Sequence, residues 1–189
     1  MTSHIPTREE AVALLRELTG SESLVKHALA VEAVMRFMAR KLRDDEDKWG
    51  IVGLIHDLDY EKYPEQHCAR TRAILEERGW PEEYIRAAVS HGWQVCSDAE
   101  PLSALEKTLY AVDELTGLVT ACALVRPSKS VMDLSPASVL KKWKQKGFAA
   151  GANRGVIEKG AQMLGVSLEE LVSDVIAGMR EAAPQIGLG

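Results

Sequence analysis

Two histidines and two aspartates of this chain are of the types that bind first-row metal ions: His27, His56, Asp57 and Asp113. His56 and Asp57 form a doublet at the end of an apolar run, where GLIHDLDY changes from aliphatic residues to histidine and acid. Adjacent side chains on a helix point about 100° apart, so both reach one ion only if it lies over the helix end or edge. The doublet therefore predicts a pair of ligands at a helix end.

Asp113 interrupts the apolar stretch LYAVDELTGLV on or beside the face that should be buried. An unpaired buried carboxylate is costly, and the nearest basic residue, Lys107, points elsewhere on the helix. We therefore expect metal or histidine partners for Asp113. Imidazole together with carboxylate suits iron, manganese, zinc or cobalt, whereas ligation by oxygen alone would suit magnesium.

Taken singly, a histidine is more often a hydrogen-bonded core or surface side chain than a ligand. His4, in the polar start of the chain, is assigned that ordinary role. The metal hypothesis therefore depends on whether the fold brings the other side chains together.

The elements that must position these residues are predicted to be helices. Ser/Thr-x-x-Glu boxes mark three helix starts, at Thr7–Glu10, Ser103–Glu106 and Ser167–Glu170. Two prolines, Pro81 and Pro136, fit the first turns of two further helices. Apolar residues recur at helical spacing along 24–42 and 105–119, and alternating strand patterns are absent. The stretch 49–55 is apolar nearly all round, which favours a central helix, with a short buried strand as the alternative. We predict an all-α domain of about eight helices.

Composition narrows the classes of function. A chain of 189 residues fits one domain, and its net charge of −5 gives no general attraction to nucleic acid or to an anionic membrane. Cys68, Cys96 and Cys122 are odd in number and widely separated, which argues against a disulfide framework and against a thiolate zinc site. Without a signal-peptide pattern or an apolar run of about 20 residues, we expect a cytoplasmic protein outside the membrane.

The order and spacing of His27, the His56-Asp57 doublet and Asp113 resemble the H…HD…D signature of the HD-domain metal-dependent phosphohydrolase superfamily. LIHDLDY is similar to the LLHDIGK of its HDIG branch. The resemblance covers about residues 22–125 of a single domain, 1–189, and leaves 126–189 as a C-terminal helical extension. It implies an all-α helical bundle in which these four residues bind one metal ion.

Members of that superfamily with two metal ions add two histidines between the doublet and the last aspartate. QHCARTRAIL and VSHGW offer His67 and His91 at matching places, and Asp57 would then bridge the ions. The chain departs from the HDIG pattern at Asp59 and Tyr60, where glycine and lysine are common. The resemblance therefore gives no catalytic lysine here.

The segment beyond the signature contains a basic cluster, KKWKQK at 141–146, and nearby small residues. The favoured interpretation is a solvated amphipathic helix, because lysines at consecutive positions cannot all face one cleft. The alternative is a lid in which Lys129 or Arg154 holds a substrate phosphate.

The leading hypothesis is hydrolysis of a small nucleotide or another phosphate ester, with one or two ions of iron, manganese, zinc or cobalt. Asp57 would act in the metal site, and Asp59 or Glu114 could orient the water, although both acids also fit ordinary solvated or capping roles. Two alternatives use the same ligands: di-iron oxygen chemistry, or a catalytically silent sensor that binds metal or nucleotide. The partner expected is a small phosphorylated substrate, with no stable nucleic-acid complex, and the sequence does not decide the oligomeric state.

Overall fold

Nine α-helices and one 3-10 helix make up the regular structure in the computed structural model, which describes residues 4–189. The helices are α1 (Arg8–Leu18), α2 (Glu22–Leu42), α3 (Glu46–Ile55), the 3-10 helix (Pro64–Gln66), α4 (Ala69–Glu77), α5 (Glu82–Ser90), α6 (Ala104–Leu124), α7 (Pro136–Trp143), α8 (Arg154–Leu164) and α9 (Leu168–Glu181). Within these residues, the one β-type pairing is an isolated bridge between Trp93 and Ser97. The all-α prediction is confirmed.

The predicted helix starts are formed by local hydrogen bonds. Thr7 and Ser103 each close a capping box with the glutamate three residues later. Ser167 accepts from the backbone N–H of Glu170 at 3.1 Å. Pro136 occupies the first turn of α7, whereas Pro81 lies one position earlier than predicted, as the residue before α5.

Helix α3 is the centre of the bundle. Every residue from Trp49 to Ile55 is buried and helical. The prediction of a central helix is confirmed, and the alternative of a short buried strand is not. Gly53 lets α3 approach α2 closely, because a Cβ built there would lie 3.0 Å from the backbone Cα and N of Glu32. This contact holds the C-terminal part of α3 close against α2, and the His56-Asp57 doublet follows directly.

The two longest helices, α2 and α6, flank this centre and carry His27 and Asp113. The predicted α6 stripe is buried throughout, and the α2 stripe is buried except near its two ends, with Leu42 47% exposed. The last three helices add to the same core: α8 packs along α6, and α9 packs against α2, α6 and α7. The C-terminal helices thereby support the two helices that carry ligands.

Among residues 4–189, no helix has both the length and the apolar character needed to cross a bilayer.

Candidate metal centre

Helix ends and helix sides bring the predicted ligands to one place. Three of the histidines are the capping residues directly after a helix: His56 follows α3, His91 follows α5, and His67 follows the 3-10 helix. His27 and Asp113 project from within α2 and α6. Side chains at a helix end can reach across it, which is why the apolar run of α3 finishes in histidine and acid.

The first group contains the four residues of the sequence signature. Their ligand atoms, one each from His27, His56, Asp57 and Asp113, all lie within 4.8 Å of one another. Asp113 Oδ1 lies 2.9 Å from His27 Nε2 and 3.3 Å from His56 Nε2. Two atoms that share a first-row ion at bond lengths near 2 Å lie about 3 to 3.5 Å apart, so the spacing suits a common ion.

The second group contains Asp57, His67 and His91, whose ligand atoms again lie within 4.8 Å of one another. Asp57 belongs to both groups and presents a different oxygen to each. Its Oδ2 lies 3.4 Å from His56 Nε2, while its Oδ1 lies 3.3 Å from His91 Nε2 and 3.5 Å from His67 Nε2. A carboxylate with this geometry could serve both groups of ligand atoms.

Three histidine rings are held in one tautomer by hydrogen bonds on the far side of the ring. Nδ1 of His56 donates to Gly53 O at 2.8 Å, and Nδ1 of His91 donates to Ala88 O at 2.6 Å. Nδ1 of His67 donates to Asp59 Oδ1 at 2.7 Å. Such partners fix a ligand's orientation and leave Nε2 free to bind metal.

Two buried atoms at the centre of the cluster lack hydrogen bonds. His56 Nε2 and Asp57 Oδ1 are inaccessible to solvent and have no hydrogen-bond partner among the described residues. The Nε2 atoms of His67 and His91 lie 3.1 Å apart, and since both rings donate from Nδ1, neutral rings would turn two lone pairs toward each other. A cation relieves both conditions, so this set of donors fits a metal ion. The clusters could hold such ions.

The electrostatics of the cluster also favour positive charge. Burial of the His56 ring opposes protonation, but the carboxylates of Asp57 and Asp113 outweigh burial and raise its pKa well above the usual range. Burial likewise opposes ionisation of Asp57, yet the neighbouring His56 and His91 hold its pKa well below the usual range. The pKa of Asp113 is lowered in the same way, against burial, by His56 and His27. The carboxylates are therefore ionised and available as ligands.

Asp59 takes a position different from the one predicted for an acid that orients water. Its side chain is fully buried, Oδ1 accepts from His67, and Oδ2 accepts from the backbone N–H of Thr71 at 2.8 Å. Burial of His67 opposes its protonation, but the bond to Asp59 and the negative charges of Asp57 and Asp59 together outweigh burial and raise the pKa of His67. Asp59 therefore positions His67 against the first turns of α4 and does not contact the cavity.

A cavity of about 530 Å³ opens over the two groups. Glu114 lines it, beside Asp113, and accepts from the backbone N–H of Asn153 at 3.1 Å. Burial raises the pKa of Glu114, and the negative charge of Asp113 raises it further. The rest of the wall is mainly apolar or small: Leu24, Tyr60, Gly92, Val95, Cys96, Gly117, Ala149, Gly151, Ala152 and Val156.

Neither basic residue predicted to hold a phosphate lines this cavity. Lys129 lies in the loop between α6 and α7 with a left-handed backbone, φ 51°. The guanidinium of Arg154 donates to the carbonyls of Trp143 and Phe148, at 3.1 and 2.7 Å, and stacks over the Trp143 ring. Arg154 thus holds in place the loop that forms one wall of the cavity. The basic cluster 141–146 is mostly solvent-facing, but only its first half is helical, because α7 ends at Trp143.

The fold brings together two cysteines that are widely separated along the chain. Cys68 Sγ and Cys96 Sγ are 3.1 Å from each other, and both are free thiols. The hydrogen bond from Cys68 lowers the pKa of the Cys96 thiol to about 6. A signal was present in the sequence, because each cysteine closely follows a candidate ligand, Cys68 after His67 and Cys96 after His91.

Comparison of the chain with models of protein families, with curated proteins and with solved structures gave no match in any of the three.

Proposed function

We propose that this protein is a metal-dependent phosphohydrolase that acts on small phosphate monoesters at a site with two metal ions. The observation that carries the proposal is Asp57, whose two oxygens face two separate groups of ligands at the base of a cavity. The H…HD…D pattern of the chain resembles that of the HD-domain superfamily, and this resemblance suggests phosphate-ester hydrolysis as the class of reaction. Ions bound there would polarise a phosphoryl oxygen and lower the pKa of a bound water.

The residues of the first group would hold one ion, and His67 and His91 would hold the second, with Asp57 between them. Asp59, Gly53 O and Ala88 O accept hydrogen bonds from the Nδ1 atoms of three histidine rings, so their Nε2 atoms would be free to hold the ions. Glu114 lies at the cavity wall with a raised pKa, which suits a carboxyl that accepts and returns a proton. Its role would be to take a proton from the water or to give one to the leaving alcohol.

The wall of the cavity indicates the kind of ester. No lysine or arginine lines it within residues 4–189, and three acids do: Asp57, Asp113 and Glu114. A single phosphoryl group can be neutralised by the two ions, but a second or third phosphate would lack a cation and would be repelled. The alcohol part would contact Leu24, Val95 and Val156. We therefore favour monophosphates with an uncharged alcohol over nucleoside di- and triphosphates.

The test begins with elemental analysis of protein purified without added metal, followed by loading with iron, manganese, zinc or cobalt. Alkyl and aryl monophosphates, nucleoside monophosphates and nucleoside triphosphates are then compared by phosphate release. We expect turnover with two ions per chain and a higher kcat/KM for the monophosphates.

Asp57→Asn should abolish turnover, because an amide cannot bridge two cations as a carboxylate does, and it should lower the metal content as well. His4→Ala is the control, since His4 is exposed and, among residues 4–189, its imidazole pairs with Glu10. Metal-replete protein that releases no phosphate from any of these esters would refute the proposal. Oxygen uptake by the iron-loaded protein in place of phosphate release would identify the oxygenase alternative.

A further inference from the structure

Two thiols meet at the edge of the candidate metal centre, between the segments that carry His67 and His91. Cys68 is buried at the start of α4, directly after His67. Cys96 lies in the turn that follows His91, is partly exposed and lines the cavity. Their sulfur atoms are 3.1 Å apart. A disulfide bond is about 2 Å long, so closing the pair needs a movement of only about 1 Å.

The backbone around the pair is shaped for this contact. Cys68 has a positive φ of 66° with ψ −46°, a backbone conformation that is unusual for a residue with a side chain. Gly92 leaves the space in which the thiols meet, because a Cβ built there would lie 2.4 Å from each sulfur. Strain of this kind is kept where the surrounding structure requires it and is often found at functional sites.

We propose that Cys68 and Cys96 form a site of reversible oxidation, which closes to a disulfide with hydrogen peroxide and thereby releases the second metal ion. The partly exposed Cys96 sulfur attacks peroxide, the O–O bond breaks, and a sulfenic acid and one water form. The sulfur of Cys68 then displaces the sulfenic oxygen, which leaves as a second water carrying the remaining thiol proton. Both thiols are oxidised, peroxide is reduced, and an added dithiol reverses the reaction.

Movement of Cys96 would be transmitted to His91 through the turn between them. The backbone N–H groups of Val95, Cys96 and Ser97 all donate to Gly92 O, at 2.9, 2.9 and 3.0 Å. Cys68 is joined to His67 directly. Metal ligands tolerate displacements of only about 0.2 Å, so a movement of about 1 Å in these segments would disturb the position formed by Asp57, His67 and His91. This metal effect rests on the proposed function, whereas formation of the cross-link does not.

The experiment treats the whole protein with hydrogen peroxide and measures intact mass, non-reducing peptide maps and metal content. We expect the loss of two hydrogen atoms, a peptide link between Cys68 and Cys96, and loss of up to half of the bound metal, all restored by dithiothreitol. Cys122→Ser should behave as the wild type, because Cys122 is buried in α6 away from the pair. Cys68→Ser and Cys96→Ser should keep their metal and fail to cross-link.

Gly92→Ala keeps both thiols but pushes them apart, so it should lose most of the cross-linking. Gly147→Ala is its control, since a Cβ there meets nothing within 4 Å. Oxidation of Cys96 to sulfinic acid, or a link between two chains, would overturn the proposal. So would retention of both ions in fully cross-linked protein whose reduced form binds two, or loss of metal from the reduced serine variants, which would make the thiols ligands. The reduced wild type could bind a single ion and still form the cross-link. That result would refute the two-ion site of the proposed function, but it would leave the Cys68–Cys96 oxidation site supported.

Discussion

Asp57 is the residue on which the candidate centre depends. It follows His56 at the end of α3, and its two oxygens lie 3.4 Å from His56 Nε2 and 3.3 Å from His91 Nε2. Around it, Asp59 is buried without contact to the cavity and accepts two hydrogen bonds. The two aspartates therefore have different roles. Asp57 faces the other ligand atoms, and Asp59 holds the His67 ring in place.

Asp59→Asn should weaken binding of the second ion. An amide offers one oxygen, so it cannot accept from both His67 Nδ1 and Thr71 N–H, and one buried donor is left unsatisfied at a cost of about 1 to 3 kcal/mol. Loss of such a partner typically reduces metal affinity by about 10- to 100-fold. Metal titration and urea unfolding would measure both effects. Asp133→Asn, which removes an exposed acid paired with Arg126, is the control, and equal affinity in the two variants would contradict the role.

The double variant His67→Ala, His91→Ala tests whether each chain binds one metal ion or two. It removes the two imidazoles of the second group and leaves the first group intact, so the metal content per chain should fall to half and phosphatase activity should be nearly lost. Elemental analysis of the metal-loaded variant would measure the change. A wild type that holds one ion under metal-replete conditions, or a variant that holds as much as the wild type, would contradict the two-ion site.

At the scale of elements, the ends of α3, α5 and the 3-10 helix converge between the sides of α2 and α6. The position of α3 matters most, because it is buried all round and delivers the doublet. Its contact with α2 is set by Gly53, next to the backbone of Glu32. The packing of one helix pair therefore controls where His56 and Asp57 lie.

Gly53→Ala should destabilise the fold and weaken the metal centre together. The new Cβ would lie 3.0 Å from two backbone atoms of Glu32 and 3.2 Å from Val31 C, so a helix must shift. Overpacking of this kind costs about 1 to 3 kcal/mol. Urea unfolding of Gly147→Ala, where the added methyl meets nothing, should give a midpoint close to the wild type. If Gly53→Ala unfolds at the same urea midpoint as Gly147→Ala, close packing of α3 against α2 at Gly53 is contradicted.

At the scale of the whole molecule, one core joins the helices that carry ligands to the C-terminal helices α7, α8 and α9. The first group of candidate ligands within this core contains two carboxylates and two imidazoles, and one of these carboxylates, Asp57, also belongs to the second group. Removing a cation from such a cluster leaves buried charge and lone pairs without their best partner. Metal binding should therefore contribute to the stability of the entire fold.

Removal of metal with a chelator should lower the thermal midpoint without unfolding the protein, because the apolar core and the helix caps do not depend on the ion. An ion present at about 1,000 times its Kd stabilises the folded state by about 4 kcal/mol. Circular dichroism of the chelated and reloaded protein would measure the shift, with Asp57→Asn as the variant that should show little response. Equal midpoints for chelated and reloaded wild type would count against the site.

Local signals in the sequence predicted much of the fold. The capping boxes at Thr7 and Ser103, the apolar stripe of α6 and the apolar run of α3 depend on neighbours within a few residues, and each appears as expected. The candidate ligands were likewise visible by type and order.

Tertiary packing decided what depends on residues far apart in the chain. It brought Cys68 to Cys96, buried Asp59 behind His67, and turned Arg154 toward backbone carbonyls instead of the cavity. It also gave each oxygen of Asp57 a separate set of neighbours. The direction of a side chain at a helix end depends on which helices meet there, and spacing along the chain does not encode that direction.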